Sequence, residues 1–395
     1  MDKNKVCVIG LGYIGLPTAA ILANNGFKVT GVDIQKSVVE CINKGEIHIV
    51  EPDLELHVKS AVEEKNLMAS LYPSKADIFI IAVPTPFHDN YAPNINYIID
   101  ATKSIAPFLE KDNLVILEST SPVGTTEIIN KILIQEGVDT SEINISHCPE
   151  RVLPGNIMKE LIENDRIVGG IDEDSTQQTI AFYQKFVKGD ILATDAKTAE
   201  MAKLTENSFR DVNIAFANEL SILCKKLEIN VHELIKLANK HPRVNILNPG
   251  VGVGGHCIAI DPWFIIHKDP ENARLIKTAR TVNNYKTDWV IGEIHHAAED
   301  YMKSNNNIKP KIACLGLAFK PDIDDLRESP ALKVVQNLIS KNFSIIAVEP
   351  NIDNHDKIKV RSLDYALRNA DIVVILVAHK EFKELNFKKN IIDFS

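Results

Sequence analysis

The chain has 395 residues, 45% of them hydrophobic and 25% charged, which excludes a disordered, collagen-like or low-complexity protein. Fifty-three acidic against forty-four basic residues leave a net charge of −9, and no Lys/Arg run forms a basic stripe, so no nucleic-acid partner is expected. Six cysteines at wide, irregular gaps carry neither zinc nor redox spacing, and no uninterrupted apolar segment reaches membrane-span length. A cytoplasmic chain of two or three domains, with no membrane partner, is the expectation.

The first apolar stretch, residues 6–23 behind Lys3 and Lys5, imitates a signal peptide. Its glycines argue otherwise. Gly10-Leu11-Gly12-Tyr13-Ile14-Gly15 follows a strand-like run and opens a helix, and Asp33 closes the next run 18 residues after Gly15. Glycines there allow a tight turn, close approach of a pyrophosphate and close helix packing, while the helix N-terminus favours negative charge. Asp33 suits ribose hydroxyls and repels a 2′-phosphate. Lys36 is the nearest base after it, so NAD is expected over NADP.

Val/Ile-rich runs at 6–9, 29–32, 78–83 and 114–117, with a further run at 143–146, alternate with helix-length segments and predict a parallel sheet buried on both faces. Thr85 and Thr120 follow two of these runs, where ligands of open α/β sheets bind; they could touch ribose or the nicotinamide side, or simply cap helices. From about 196 to 227 the apolar spacing turns helical without Gly or Pro, giving one long helix or a slightly kinked pair. Lys203 and Asn207 share its face, with Arg210 three residues further; they form a proton-relay and hydroxyl-orienting pair or a solvated surface.

Asn248-Pro249-Gly250-Val251-Gly252-Val253-Gly254-Gly255 must be a loop. Cys257 follows it, with Asp261 one helical turn later. Backbone N–H groups of such a loop can converge on an anion and stabilise a thiolate, which distinguishes Cys257 from five structural cysteines. His256 reads as a loop residue rather than a base. A second helical stretch runs from about 273 to 302, and strands resume at 311–315, 345–348 and 372–377. There Gly316 persists, Ala318 and Pro321 replace the other two glycines, and Glu349 ends the second strand. The predicted fold is two Rossmann-like parallel-sheet domains, residues 1–190 and 304–395, joined by a central helical domain, 191–303, with a long helix. The C-terminal domain ends while a strand is being completed.

Together these segments resemble the UDP-glucose/GDP-mannose dehydrogenase family. The blocks that carry the resemblance are the N-terminal glycine motif, 119–125, Pro149-Glu150, 199–207, 254–261, 316–322 and Arg327-Glu328-Ser329. It implies a four-electron oxidation of a UDP-sugar C6 alcohol to a carboxylate with two NAD⁺. Cys257 would be the nucleophile, Lys203 the acid/base partner, Asn207 and Asp261 its helpers, and Glu150 and Thr120 further catalytic residues, Glu150 assisting thioester hydrolysis. Gly10, Gly12, Tyr13, Ile14, Gly15, Asp33, Lys36, Thr85, Thr120 and Arg327 would bind NAD. Arg151, Val152, Lys203, Asn207, Arg210, His241, Arg243, Gly254, Phe319 and Lys320 would contact substrate. Within the family, Cys148-Pro149-Glu150-Arg151-Val152-Leu153-Pro154-Gly155, 241–245 and 256–263 look like the branch that oxidises UDP-N-acetyl-D-mannosamine for surface polysaccharide. A homodimer or higher homo-oligomer through the long helix is implied. Two departures from the expected pattern stand out: Ala259 stands where the resemblance implies a Pro, and the resemblance implies a further strand and helix after the last residues.

Overall fold

The computed structural model describes residues 4–88, 90–153, 155–255, 257–352, 355–382 and 390–395; His256 and Pro154 lie outside them. Short β-branched runs become strands, and the amphipathic segments between them become covering helices. In chain order these are β1 (Lys5–Ile9), α1 (Gly15–Asn24), β2 (Lys28–Val32), α2 (Lys36–Asn43), α3 (Leu54–Glu63), β3 (Leu67–Ser70), β4 (Ile78–Ile81), α4 (Asn96–Ile105), β5 (Leu114–Leu117), α5 (Thr125–Gln135), β6 (Asn144–His147), α6 (Ile157–Glu163), β7 (Arg166–Gly170), α7 (Glu173–Tyr183) and β8 (Ile191–Asp195). The order across this sheet is β3-β2-β1-β4-β5-β6-β7-β8, parallel except where β7 meets β6. β4 and β5 are buried along their whole length, as strands covered on both faces must be. Two apolar clusters result, one through Val8, Leu16, Ile80 and Ile116, the other through Cys7, Phe79, Val115 and Ile129. Each fully buried Leu, Ile or Phe contributes roughly 1.5–3 kcal/mol relative to exposure.

The long helical signal is one helix, α8 (Ala196–Lys226), followed by α9 (Val231–Ala238), α10 (Asp261–Lys268) and α11 (Arg274–Ser304). β9 (Lys311–Leu315), β10 (Ser344–Val348), β11 (Ile372–Ile375) and β12 (Asn390–Asp393) form a second parallel sheet of order β10-β9-β11-β12, with the helices α12 (Pro330–Ser340) and α13 (Leu363–Asn369) between its strands in the chain. The chain divides into two compact units, residues 1–205 with 263–268 and residues 206–262 with 269–395, so the division falls within α8 and the helical middle is shared. Three runs end earlier or later than their apolar pattern suggests: β4 stops at Ile81, β11 at Ile375, and β6 extends to His147. Among the described residues no helix is long and apolar enough to cross a membrane.

Candidate active site

In the first unit the turn after β1 is built by glycine for two separate reasons. Gly10 has φ +93°, and a Cβ on it would stand 2.6 Å from the Ala82 carbonyl oxygen; a Cβ on Gly15 would run into the Gly10 carbonyl. Both are demanded by the fold. Gly12 is different: beyond its chain neighbours, no atom of the described residues lies within 4 Å of where its Cβ would stand. Its small size leaves room for a ligand to reach the backbone. α1 starts just beyond with no side-chain cap and no acid in its first turn, leaving N–H groups for an anion. Asp33 accepts from Leu11 N–H (3.2 Å) and Gln35 N–H (2.9 Å), which holds the half-buried carboxylate beside that turn. A dinucleotide fits this set. Tyr13 is 40% exposed on the turn, next to Ile14 at the helix N-cap. Lys36 opens α2 on the surface, paired with Glu40 at 3.5 Å.

Neither Thr85 nor Thr120 is the N-cap of the helix that follows it, α4 or α5. Thr85 Oγ1 donates to the Thr120 carbonyl (2.6 Å) and Ser119 Oγ to the Val83 carbonyl (2.7 Å), so the loops leaving β4 and β5 are tied to each other. α5 is capped instead by Glu200 from α8, which accepts from Gly124 N–H (2.5 Å), Thr126 N–H (2.7 Å) and Thr126 Oγ1 (2.7 Å). Burial raises the pKa of that carboxyl against these hydrogen bonds. The sequence reading missed Glu200 because its partners lie some seventy residues away.

Glu150 ends in a buried electrostatic cluster. Its Oε2 accepts from Arg166 Nη1 (3.1 Å) and its Oε1 from Arg151 N–H (2.7 Å). Arg166 also donates to the Leu161 carbonyl and lies over the Tyr183 ring, whose hydroxyl donates to Glu118 at 2.6 Å. Burial pushes the Glu118 carboxyl up to about 7, with Arg166 pulling the other way. Arg151 reaches the Asp165 carbonyl (3.1 Å), and Val152 packs against the larger apolar cluster.

In the second unit Cys257 is the one exposed cysteine among the described residues. Burial raises Cys7 and Cys148 to about 11 and Cys314 to about 12, so those thiols stay protonated and inert. The Cys257 carbonyl accepts from Asp261 N–H (2.9 Å), closing the turn that leads into α10, and the buried Asp261 carboxylate accepts from Asn207 Nδ2 at 2.6 Å. Asn207 is therefore no surface residue. Lys203, half-buried, stands one turn before it on α8, and Arg210 is exposed one turn after.

The glycine loop serves packing more than anion binding. A Cβ on Gly252 would meet Thr287 Oγ1, and one on Gly254 or Gly255 would meet Phe319. The Gly255 N–H donates to the Arg327 carbonyl at 3.2 Å. The loop is further held by a buried polar chain: Asn218 Oδ1 accepts from Gly250 N–H, Asn218 Nδ2 donates to Asn283, and Asn283 Nδ2 donates to Asp211, which pairs with Arg280 at 2.6 Å. Phe319 and Lys320 lie on the turn after β9, Phe319 half-buried and Lys320 exposed. The Arg327 guanidinium grips Asp325, with Nη2–Oδ2 at 2.6 Å. His241 and Arg243 are exposed together after α9, the Arg243 N–H donating to His241 Nδ1 at 3.3 Å.

Three family models match the chain: the NAD binding domain, central domain and UDP binding domain of the UDP-glucose/GDP-mannose dehydrogenase family, over residues 4–187, 197–285 and 313–392. The chain is 58% identical to the UDP-N-acetyl-D-mannosamine dehydrogenase of Campylobacter jejuni, covering 98% of both chains. It is 50% identical to an NDP-N-acetyl-D-galactosaminuronic acid dehydrogenase of Ralstonia nicotianae, covering 98% of this chain and 93% of the relative. Among solved structures, a UDP-D-ManNAc dehydrogenase from Pyrococcus horikoshii superposes with a TM-score of 0.90 at 40% identity, over 99% of this chain and 95% of the other.

Proposed function

The chain belongs to the UDP-glucose/GDP-mannose dehydrogenase family, and from that membership we propose that it oxidises C6 of UDP-N-acetyl-D-mannosamine to the carboxylate by covalent catalysis at Cys257. It is an NAD-dependent nucleotide-sugar dehydrogenase. The observation that carries the sugar is the 58% identity to the Campylobacter enzyme along 98% of both chains. The observation that carries the chemistry is an exposed thiol one turn before a buried carboxylate that Asn207 already holds.

Oxidising an alcohol to an acid removes two hydrides, consumes one water and releases three protons. The Gly12 turn and Asp33 would hold NAD⁺, which when bound would accept the hydride at each stage. The intermediate aldehyde carries no alcohol to oxidise, so the Cys257 thiolate adds to its carbonyl and creates one. Loss of the second hydride leaves a thioester on Sγ, and water then displaces the thiolate. Asp261 and Asn207 hold the Cys257 turn, and Lys203 carries the proton of the substrate oxygen. Glu150 acts in the hydrolysis stage through the Arg151–Val152 segment it anchors, because both its oxygens are engaged. Lys320, after β9, meets the diphosphate; Phe319, Arg210, His241 and Arg243 complete the substrate contacts.

The test compares kcat/KM for UDP-N-acetylmannosamine, UDP-N-acetylglucosamine and UDP-glucose on one preparation, with NADH counted per sugar. A preference for the first and two NADH per sugar are expected. A preference for either competitor overturns the sugar, and one NADH per sugar overturns the thioester route. Asp33 adds a second expectation. NAD⁺ should exceed NADP⁺ by at least about tenfold in kcat/KM, since a carboxylate held beside the turn repels a 2′-phosphate. Equal values would remove Asp33 from this role.

The chain acts as a cytoplasmic homodimer in this reading. Phe209, Phe216 and Leu223 recur every seven residues along α8 at 67%, 51% and 49% exposure. Such an apolar stripe suits a second copy of the same helix. Sedimentation equilibrium decides it.

A further inference from the structure

The two sheets repeat one backbone plan but use its acidic residue in opposite ways. Gly10 donates to the Val32 carbonyl at 2.8 Å with φ +93°, and Gly316 donates to the Val348 carbonyl at 2.8 Å with φ +90°. The strand order β2-β1-β4-β5 is matched by β10-β9-β11-β12. Glu349 therefore stands in the second repeat where Asp33 stands in the first. Asp33 accepts from two backbone N–H groups, which leaves acceptor capacity for a ribose diol.

Glu349 has no such capacity. It is 3% exposed; its Oε2 accepts from Leu317 N–H (2.7 Å), Ala318 N–H (3.0 Å) and His379 Nε2 (3.0 Å), and its Oε1 from Asn351 N–H (3.1 Å) and Nδ2 (3.2 Å). The His379 tautomer follows from its other nitrogen. Nδ1 accepts from Asp322 N–H at 2.9 Å and faces Asn351 Nδ2 at 3.1 Å, so the proton sits on Nε2 and points at Glu349. Asp322 holds φ +61°, a costly conformation for a residue other than glycine, and its Oδ1 accepts from Lys380 N–H at 2.9 Å. The turn that carries Phe319 and Lys320 is thus clamped at both ends, by Glu349 at Leu317 and Ala318 and by His379 at Asp322.

We propose that His379 is a positioning residue for the nucleotide end of the substrate: with Glu349 it closes the place a ribose diol would take in a dinucleotide-binding repeat, and it sets the Leu317–Asp322 turn so that Lys320 meets the diphosphate. This rests on the reading that Lys320 contacts the UDP-sugar. The second repeat is converted from dinucleotide binding to nucleoside-diphosphate binding by turning its acid inward. Asp322, His379 and Glu381 also bring ligand atoms within 4.8 Å of one another. Both ring nitrogens of His379 are committed to protein partners, so the trio is a clamp rather than a cation site.

The experiment measures KM for the UDP-sugar and for NAD⁺, kcat, and the calorimetric Kd for UDP in wild type, His379→Ala, His379→Gln and Lys320→Ala. His379→Ala should raise the UDP Kd and the UDP-sugar KM about tenfold, the scale of one lost hydrogen bond to a charged group, with kcat and the NAD⁺ KM within about twofold. His379→Gln keeps a donor toward Glu349 and should recover about half of that loss on a logarithmic scale. If His379→Ala does not fold, His379→Gln against wild type carries the test, with an expected rise of about threefold in the UDP Kd and none in the NAD⁺ KM. An unchanged UDP Kd in the folded variants, or parallel loss in kcat and both KM values, overturns the proposal. Should Lys320→Ala leave the UDP Kd unchanged, the reading of Lys320 fails instead, independently of His379.

Discussion

Cys257→Ser is expected to lower acid formation by at least about a thousandfold while leaving UDP-sugar and NAD⁺ binding near wild type. A serine hydroxyl on the same turn adds poorly to the aldehyde, and any ester formed expels an alkoxide far less readily than a thioester expels a thiolate. The first oxidation does not use the thiol, so NADH release should stop at or below one per sugar. Cys7, Cys148 and Cys314 cannot substitute, because they are buried with pKa values of about 11 or higher. Rapid-quench analysis of the sugar product, together with NADH counting, reads the outcome. Two NADH per sugar at the wild-type rate would show that no thioester forms on Cys257.

The parts of the site that could be read from the sequence are those whose residue type is dictated locally. Gly10 and Gly15 are demanded by a positive φ and a close carbonyl, Asp33 by its place at the end of β2, and Asp261 by its one-turn distance from Cys257. What escaped depends on partners far apart in the chain. Glu200 caps a helix that begins some seventy residues earlier, Arg166 pairs with Glu150 across a strand connection, and Asn218 reaches both Gly250 and Asn283. No period or spacing marks such contacts. The strands that escaped have a similar cause. β3 reads Leu-Met-Ala-Ser without a β-branched residue, β7 carries a Gly-Gly pair, and the edge strand β8 reads Ile-Leu-Ala-Thr-Asp with three exposed positions and two half-buried ones, so none of the three shows the continuous Val/Ile signal of a central strand. The glycine loop was legible as a loop but not in purpose: its glycines answer to Phe319 and Thr287, side chains contributed by distant segments.

Arg166→Leu should destabilise the chain by about 3–5 kcal/mol, the cost typical of leaving buried charge without its partner. The side chain is 4% exposed and lies 3.1 Å from Glu150 and 4.0 Å from Glu118, with Cys148 and Tyr183 completing its surroundings. Removing it strands two buried carboxyls, the Leu161 carbonyl and the Tyr183 ring face. The pH dependence separates this electrostatic loss from a packing defect. In wild type the Glu118 carboxyl is raised to about 7 by burial, so the folded state binds more protons than the unfolded state between roughly pH 4.5 and 7. Over that window its contribution to stability falls as pH rises. Arg166 lowers this pKa, so its loss raises the Glu118 pKa further and extends the fall to higher pH. The stability gap between wild type and Arg166→Leu should therefore widen from pH 5 to pH 8 in urea titrations followed by far-UV circular dichroism. Arg166→Lys should recover only part of the gap, because an ammonium cannot reach Glu150 and the Leu161 carbonyl in the planar fork that Arg166 uses. A gap that stayed constant with pH would assign Arg166 to packing alone and detach Glu118 and Glu150 from it.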